Sequence, residues 1–241
     1  MTTLIVGASG ATGKHLVEQL LNMGQKVKVI VRPTVKTTDT WINNDKITII
    51  KANISEISVD EMMNYLTDCQ SVASCLGHNI TLKGIFGKPR KLVTDAVKLL
   101  CMAIQKNSPD KPIKFVLMNT TGNRNRDLNE PISIGERVVM GLIRLLVPPQ
   151  SDNEKAADFL RVNIGQKNEL IDWVVVRPDT LIDEDSSTGY ELYASPIRSA
   201  LSNPGKTSRI NVGNFMSRLI VDNDLWDKWE GQMPVIYNKE T

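Results

Sequence analysis

The most regular feature of the chain is an alternation of short apolar runs with longer segments of helical period. The apolar runs are Thr3 to Val6, Val27 to Val31, Ile47 to Ile50, Ser71 to Cys75, Ile113 to Met118 and Trp173 to Val176. Runs that are apolar at nearly every position are typical of parallel strands buried on both faces. The predicted helices between them are Thr12 to Met23, Val59 to Leu66, Pro89 to Lys106 and Glu154 to Asn163. This alternation predicts an α/β fold with a parallel sheet.

The rest of the chain adds one more helix and a looser tail. Pro148 and Pro149 separate a predicted helix, Ile132 to Val147, from the next one. That helix is strongly apolar, so one face should be buried, and packing into the core is favoured over packing on a second subunit. After Pro178 the pattern loosens and turn residues become frequent. We therefore predict a core at 1–180 and a small C-terminal cap at 181–241, packed together as one structural domain.

Composition and charge exclude several classes of function. The 241 residues carry a formal net charge of +2, with Lys and Arg interleaved with Asp and Glu, which argues against a nucleic-acid partner. The three cysteines include no Cys-x-x-Cys pair, so we predict no disulfide framework and no metal site. The apolar segment Val138 to Val147 is too short to span a bilayer and contains Arg144, and no signal peptide is visible. These features predict a cytoplasmic monomer or homodimer without a membrane partner.

Three glycines, Gly7, Gly10 and Gly13, lie between the first predicted strand and the first predicted helix. So tight a turn favours residues without a Cβ, because its backbone must approach a pyrophosphate and the helix must pack closely on the strand. N–H groups at the helix start attract phosphates, and the hydroxyls of Ser9 and Thr12 either add donors or cap the helix. This context predicts a Rossmann-type doubly wound parallel sheet. The predicted dinucleotide-binding residues of the turn are Gly7, Ser9, Gly10, Ala11, Thr12 and Gly13.

The second predicted strand is followed by Arg32, at a position where NAD-selective sites place Asp or Glu on the ribose hydroxyls. A guanidinium pairs bidentately with an adenosine 2′-phosphate, which a carboxylate would repel. Lys14 and Lys36 are further cations near this point. The alternative is that Arg32 is only a solvated charge at the end of the strand. The sequence favours NADP(H) over NAD(H).

Six segments of the chain resemble the atypical short-chain dehydrogenase/reductase group. They are Gly7-Ala-Ser-Gly-Ala-Thr-Gly13, Val29-Ile-Val-Arg32, Lys51-Ala-Asn53-Ile54, Ser74-Cys-Leu-Gly77, Asn119-Thr-Thr-Gly122 and Asp172-Trp-Val-Val-Val-Arg-Pro178. Their order and spacing extend the resemblance over most of the chain. Within the group, the chain resembles the branch of NmrA-like and biliverdin- or flavin-reductase-like NAD(P)H-binding proteins.

The resemblance implies cofactor contacts for residues that follow the later strands. Asn53 and Ile54 match a pair that borders the adenine, although the group usually has Asp where this chain has Asn53. The backbone after the fourth strand normally lines the cofactor, and the matching residues are Cys75, Leu76 and Gly77. Thr120 matches a hydroxyl residue close to the nicotinamide. Pro178 matches a residue that borders the nicotinamide ribose or amide.

The residues that would carry out a reaction are less well defined. The larger short-chain dehydrogenase family moves a proton with a Tyr-x-x-x-Lys pair, and none of the four tyrosines is followed by lysine at that spacing. Hydride transfer remains feasible without the pair, because the cofactor carries the chemistry and water can supply a proton. We interpret Cys75 as a small buried residue, and Lys155, Glu154 and Asp158 as a solvated helix face. The candidate proton carriers are Thr120, His78 and Lys155, although a structural role is favoured for His78.

Three functions are compatible with these residues. The favoured hypothesis is an NADPH-dependent oxidoreductase that acts on a small carbonyl, quinone or flavin-like acceptor. The second is a non-catalytic NADP(H) redox sensor that binds a partner protein, which the missing Tyr-x-x-x-Lys pair favours. A nucleotide-sugar epimerase ranks lowest, because that reaction generally relies on the same tyrosine.

Overall fold

The computed structural model of the chain describes residues 1–78, 87 and 89–239. The strands are β1 Thr2–Val6, β2 Lys26–Val31, β3 Ile47–Lys51, β4 Ser71–Ser74, β5 Ile113–Met118, β6 Ile171–Pro178, β7 Thr180–Ile182, β8 Tyr190–Tyr193, β9 Lys206–Ser208 and β10 Val235–Asn238. Eight of them form one sheet in the order β3-β2-β1-β4-β5-β6-β10-β8, while β7 pairs with β9. Neighbours from β3 to β10 are parallel, and β8 is antiparallel to β10. The predicted Rossmann-type doubly wound sheet is confirmed.

Helices cover both faces of this sheet. They are α1 Ala11–Asn22, α2 Asp39–Ile42, α3 Val59–Leu66, α4 Leu92–Asn107, α5 Ile134–Leu146, α6 Pro148–Asp158, α7 Arg209–Val221 and α8 Asn223–Trp229. One apolar cluster lies under α3, α4 and α6, and the other under α1, α7 and α8. Successive residues of β1 serve both clusters, since Leu4 and Val6 belong to the first and Ile5 to the second. The strands are therefore buried on both faces, as their apolar runs predict.

The predicted bounds are confirmed for β5 and α3 and shift for other elements. β6 extends two residues beyond the predicted strand at each end, and β4 ends at Ser74, so that Cys75 lies just outside it. The predicted helix at 154–163 begins earlier, at Pro148, whose fixed φ and missing N–H suit a first helical position. It gives way to a π-helical turn at Phe159–Ile164.

The segment after residue 180 contributes to the core as well as covering it. β10 lies beside β6 in the main sheet, with Val235 opposite Arg177. α7 packs on α1 so closely that a Cβ on Gly213 would lie 2.9 Å from the Cβ of His15. The region predicted as a small cap therefore also supplies a strand and a helix of the core. Without them the edge of β6 and one side of α1 would be exposed to water.

The prediction that the apolar helix at 132–147 packs into the core is wrong. This helix, α5, begins at a capping box formed by Ser133 and Glu136, and it has no buried residue. Ile134, Leu145 and Leu146 are 82%, 78% and 62% exposed. The helical period identifies an apolar face, but only the surrounding elements decide which face is covered. Packing on a second subunit stays a prediction.

The three cysteines, Cys69, Cys75 and Cys101, are free and buried. Burial raises the pKa of the Cys69 thiol to about 11 and that of the Cys75 thiol to about 12. Among the described residues, no group of three or more His, Cys, Asp and Glu side chains is arranged to hold a metal ion. No helix in the same part of the chain is long and apolar enough to cross a membrane.

Two carboxyls meet near the amino end of β6. The side chains of Asp172 and Glu230 form a hydrogen bond, and both interact with Lys114 of β5. Burial raises the pKa of each carboxyl, and the neighbouring Asp172 charge adds to the increase at Glu230. Burial also lowers the pKa of the Lys114 ammonium, which donates to Asn223 at 2.8 Å. Ionisation of the carboxyl pair therefore disfavours the folded state.

We predict that Asp172→Asn increases stability at neutral pH relative to acidic pH. A carboxyl with a raised folded-state pKa favours folding below its ordinary pKa, 3.8 for Asp. That contribution is lost as the pH rises through the folded-state pKa. The free energy of unfolding of the variant, minus that of the wild type, should therefore increase between about pH 4 and pH 7, as measured by urea unfolding. Asp185→Asn, in an exposed loop, is the control, and a pH-independent difference would contradict the prediction.

Candidate functional site

The glycine turn is packed too tightly for side chains. Gly7 has φ +76°, and a Cβ there would lie 2.6 Å from the carbonyl carbon of Cys75. A Cβ on Gly13 would lie 2.2 Å from the carbonyl oxygen of Gly7. The N–H of Gly10 donates to that same oxygen at 3.0 Å, which closes the turn. Glycine is therefore required at Gly7 and Gly13 for β1 to turn into α1 beside the end of β4.

The start of α1 is left open to a ligand. Gly10 is the N-cap residue and provides no side-chain hydrogen bond, so the N–H groups of the first turn face outward uncapped. Thr12 is buried, and Ser9 is half-buried beside a cavity. The sequence allows the hydroxyls of Ser9 and Thr12 either to cap the helix or to donate to a phosphate. Neither of them caps the helix. An uncapped helix start with a close backbone approach fits a pyrophosphate.

The cavity beside this turn has a volume of about 470 Å³, and its charged lining residues are Lys14, Lys36 and Glu18. Ser9 and Lys14 line it on one side, and Lys36 lines it from the loop after β2. Arg32 is exposed and directly follows β2, so it lies at the start of that loop. In the described part of the chain, none of these three cations has an ion-pair partner. Such unpaired cations fit an additional phosphate on the adenosine side of a dinucleotide.

At the end of β3, the side chain of Asn53 is used locally. Its amide oxygen accepts from the N–H of Ser55 at 3.4 Å, and its amide nitrogen donates to Glu56 at 2.8 Å. These bonds cap the short 3₁₀ helix that begins at Ile54, which is half-buried. These hydrogen bonds hold Asn53 and Ile54 in place after the end of β3.

The residues after β4 lie against the glycine turn. The N–H of Cys75 donates to the carbonyl of Val6 at 2.9 Å, and a Cβ on Gly7 would lie 2.7 Å from the nitrogen of Leu76. Gly77 is exposed just beyond them. The interpretation of Cys75 as a small buried residue is confirmed, since burial holds its pKa far above neutrality.

His78 is held by a buried carboxylate. Its Nε2 lies 2.8 Å from Oδ2 of Asp152, which is 1% exposed. The same carboxylate accepts from the backbone N–H groups of Val93 and Thr94, at 2.8 and 3.0 Å, at the start of α4. A negative charge is favourable at a helix N-terminus. Asp152 therefore ties α6, α4 and the end of β4 together, and it fixes the ring of His78 at the carboxyl edge of the sheet.

Thr120 lies at the neighbouring strand end. Its Oγ1 accepts from the N–H of Gly122 at 3.2 Å, which leaves the hydroxyl hydrogen available to a ligand. The next residue, Thr121, donates its N–H to the carbonyl of the buried Pro178 at 3.0 Å. The ends of β5 and β6 are thereby joined, so the candidates Thr120 and Pro178 lie on adjacent strand ends.

The helix face predicted around Lys155 is solvated only in part. Lys155 is exposed, but Glu154 is buried and accepts from Arg144 at 2.5 and 3.0 Å. The prediction for Glu154 is therefore wrong, because α5 lies beside α6 and supplies an arginine to it. Asp158 is half-buried and pairs with Arg161 at 3.1 Å. Among the described residues, no hydrogen bond or ion pair holds the exposed Lys155 side chain near the strand ends.

Among the described residues, the most completely buried charge lies just behind this edge. Arg177 on β6 is 0% exposed and pairs with Glu130, which is 2% exposed, at 2.6 and 3.1 Å. Its other bonds go to the backbone carbonyls of Met233, Asn123 and Ala194, at 2.6, 2.9 and 3.0 Å. All five guanidinium N–H groups thus have acceptors. They fix the loop after β5 against β6, β8 and the approach to β10.

A second cavity, of about 640 Å³, opens beside that loop. Its walls come from Thr121 and Gly122 after β5, from α5, and from the segment 196–201. Glu130 and Glu136 also line it. Five arginines lie in its walls, and they are Arg124, Arg126, Arg137, Arg144 and Arg198. This space is large enough for a small organic molecule.

Comparison of the sequence with known protein families matches residues 7–223 to the NAD(P)H-binding family. The chain belongs to this family. The match confirms the predicted NAD(P)H binding and begins at Gly7, the first residue of the glycine turn. An uncharacterized chloroplastic protein of Arabidopsis thaliana is 32% identical over 71 residues, which are 30% of this chain and 25% of that protein. The similarity therefore spans about a quarter of that relative.

Solved structures of the same fold cover the whole chain. The oxidoreductase ylbE from Lactococcus lactis is 16% identical, with a TM-score of 0.69 over 100% of this chain and 92% of that one. A short-chain dehydrogenase/reductase from Veillonella parvula, in complex with NADP, is 15% identical, with a TM-score of 0.70 over 100% and 95%. The reductase ChuY from Escherichia coli O157:H7 is 14% identical, with a TM-score of 0.67 over 100% and 98%. At these identities, the similarity shows the fold.

Several residues of the site escape prediction from the sequence. Asp152 carries no local signal, because its partners lie far away in the sequence. Arg177 does carry one, since a single charge in an otherwise apolar strand indicates a buried acidic partner. The Ser133 and Glu136 spacing likewise indicates a helix start. None of these signals identifies Glu130 as the partner of Arg177.

We predict that Gly13→Ala destabilises the protein by at least about 2 kcal/mol. The new Cβ would collide with backbone at 2.2 Å, which cannot be relieved by rotating a side chain. Gly135→Ala in α5 is the matched control, because a Cβ there meets nothing within 4 Å and alanine favours a helix. Urea unfolding measures both changes. Equal stabilities of the two variants would contradict the steric argument.

We predict that Arg177→Met lowers the free energy of unfolding by about 3 to 5 kcal/mol, because Glu130 would be left buried without a partner. The double variant Arg177→Met with Glu130→Met removes both charges and should recover part of the loss. Chemical unfolding of the wild type, the single variant and the double variant measures this. A double variant less stable than the single variant would contradict the assignment of the cost to an unpaired carboxylate.

Proposed function

We propose that this NAD(P)H-binding protein is an NADPH-dependent oxidoreductase that reduces a small carbonyl, quinone or flavin-like acceptor. The observation that carries the proposal is the position of the 640 Å³ cavity. Its wall begins at Thr121, one residue after Thr120, at the same carboxyl edge of the sheet as the glycine turn. Ligands of doubly wound sheets bind at this edge, where the strand order reverses. The cavity therefore lies where an acceptor would meet the nicotinamide end of a cofactor.

The geometry supports a distinct role for each strand end. The glycine turn and the uncapped start of α1 would hold the pyrophosphate. Asn53 and Ile54 would border the adenine, and the backbone after β4, at 75–77, would line the middle of the cofactor. Thr120 and Pro178, joined through the ends of β5 and β6, would border the nicotinamide and its ribose.

The preference for NADPH over NADH rests on charge. Lys14 and Lys36 line the cavity beside the glycine turn, and the exposed residue that directly follows β2 is Arg32 and not a carboxylate. An acidic residue at that position would accept the ribose hydroxyl of NADH and repel a 2′-phosphate. Cations without ion-pair partners instead favour the phosphate.

Proton transfer in this site differs from that of the tyrosine-dependent enzymes. NADPH, when bound, supplies a hydride, which is one proton with two electrons, to the acceptor. One further proton completes the reduction, and solvent water supplies it. Thr120 can orient the acceptor with its free hydroxyl hydrogen, since its oxygen is already held by Gly122. His78 is fixed by Asp152 and shapes the edge rather than moving toward a ligand.

We predict that Arg32→Ala weakens NADPH binding about tenfold or more while NADH binding changes by less than about twofold. Lys26→Ala is the matched control, because Lys26 is an exposed cation at the opposite end of the same strand. Titration calorimetry measures the six affinities of the three proteins for NADPH and NADH. Equal affinities of the wild type for the two dinucleotides, or an unchanged NADPH affinity in Arg32→Ala, would contradict the NADP(H) assignment.

A non-catalytic redox sensor is the second candidate. The absence of a Tyr-x-x-x-Lys pair favours it, as does the exposed apolar face of α5, which a partner protein would cover. The two candidates differ in turnover. An oxidoreductase consumes NADPH with at least one acceptor in a panel of aldehydes, quinones and flavins, whereas a sensor binds NADPH tightly and consumes none.

A further inference from the structure

The side of α5 that lines the 640 Å³ cavity carries two arginines, and much of its apolar side is exposed. Arg137, Met140 and Arg144 lie at helical spacing along the wall of the 640 Å³ cavity. Val138 and Leu142, on the other side of the helix, are 59% and 52% exposed. Burial of apolar side chains is the main gain in folding, so this orientation gives up stability. The charged face is retained where it lines the cavity.

The acidic groups around the cavity are already engaged. Glu130, in its wall, is neutralised by the buried Arg177. Glu154, just outside it, holds Arg144 with two hydrogen bonds. Glu136 accepts hydrogen bonds from Ser199 and from Ser133, and these lower the pKa of its carboxyl, which keeps its negative charge. The wall holds five arginines against two acids, Glu130 and Glu136, and Arg126 pairs with Asp158 outside the wall at 3.5 Å.

Two arginines of the wall are left without a carboxylate. Within the described residues, neither Arg124 nor Arg137 has an ion-pair partner. Arg124 donates from Nη2 to the backbone carbonyl of Glu130, but its Nε is buried and has no hydrogen-bond partner. A buried N–H without an acceptor costs free energy. An anionic ligand in the cavity would supply the negative charge that these two arginines lack.

The phosphates of the dinucleotide do not account for these arginines. The cavity wall contains no residue of the glycine turn and no cation of the 470 Å³ cavity. The two cavities also lie at different strands, one beside β1 and β2 and the other beside β5. The anion that these arginines suit is therefore separate from the cofactor.

We propose that the 640 Å³ cavity binds an anionic group of the electron acceptor, a carboxylate or a phosphate, through Arg124 and Arg137. Guanidinium groups bind both of these anions bidentately. The inference rests on the proposed oxidoreductase function and adds the substrate class to it. The reducible part of the acceptor lies toward Thr121, beside the nicotinamide end, and its charged group lies toward α5.

The test uses pairs of probes that differ in the anionic group, with the protein saturated with NADP⁺. FMN against riboflavin tests a phosphate, and benzoate against benzamide tests a carboxylate. In titration calorimetry, the wild type should bind the anionic member of at least one pair about tenfold more tightly. That preference should fall below about threefold in Arg137→Gln and in Arg124→Gln. Arg218→Gln, an exposed arginine of α7 on the other face of the sheet, is the control and should keep it.

The outcomes separate this inference from the proposed function. A preference within one pair identifies which anion the site takes, provided that both arginine variants lose it. No preference in either pair, or a preference that both variants retain, overturns the anion site. If NADP⁺ does not bind, and the same titrations without it show the arginine-dependent preference, the proposed function fails and the anion site stands.

Discussion

The buried guanidinium of Arg177 holds together the edge on which the rest of the site depends. It has no exposed surface, and its donors reach Glu130, the loop after β5, the end of β8 and the approach to β10. A charge in this position is tolerated only because every N–H has an acceptor and a carboxylate balances it. The loop that carries Thr120 and the cavity wall therefore has one position relative to the sheet.

The glycine turn imposes the second constraint, and its origin is steric. β1 and β4 are neighbours, so the turn after β1 must pass against the backbone after Ser74. Space for a Cβ is missing at Gly7 and Gly13, and the start of α1 is left uncapped. The same closeness that excludes side chains brings backbone N–H groups to the place where a pyrophosphate binds. Packing and cofactor binding thus depend on one geometry.

Positive charges line cavities at both ends of this edge of the sheet. Beside the turn, exposed cations face a cavity of about 470 Å³, and beyond β5 arginines line one of about 640 Å³. The weak overall net charge of +2 conceals both. His78, which is held by Asp152, and the backbone after β4 lie between the two cavities. The arrangement separates a place for the cofactor from a place for an anionic acceptor.

The sequence by itself determined the features that depend on neighbouring residues. Strand and helix periods, the glycine turn at 7–13 and the cation after β2 are local, because backbone sterics and side-chain alternation act over a few positions. Tertiary structure alone decided the rest. Arg177 meets Glu130 across 47 positions, and His78 meets Asp152 across 74. The exposed apolar face of α5 was equally invisible, since a helical pattern shows which residues share a face and only packing shows where that face points.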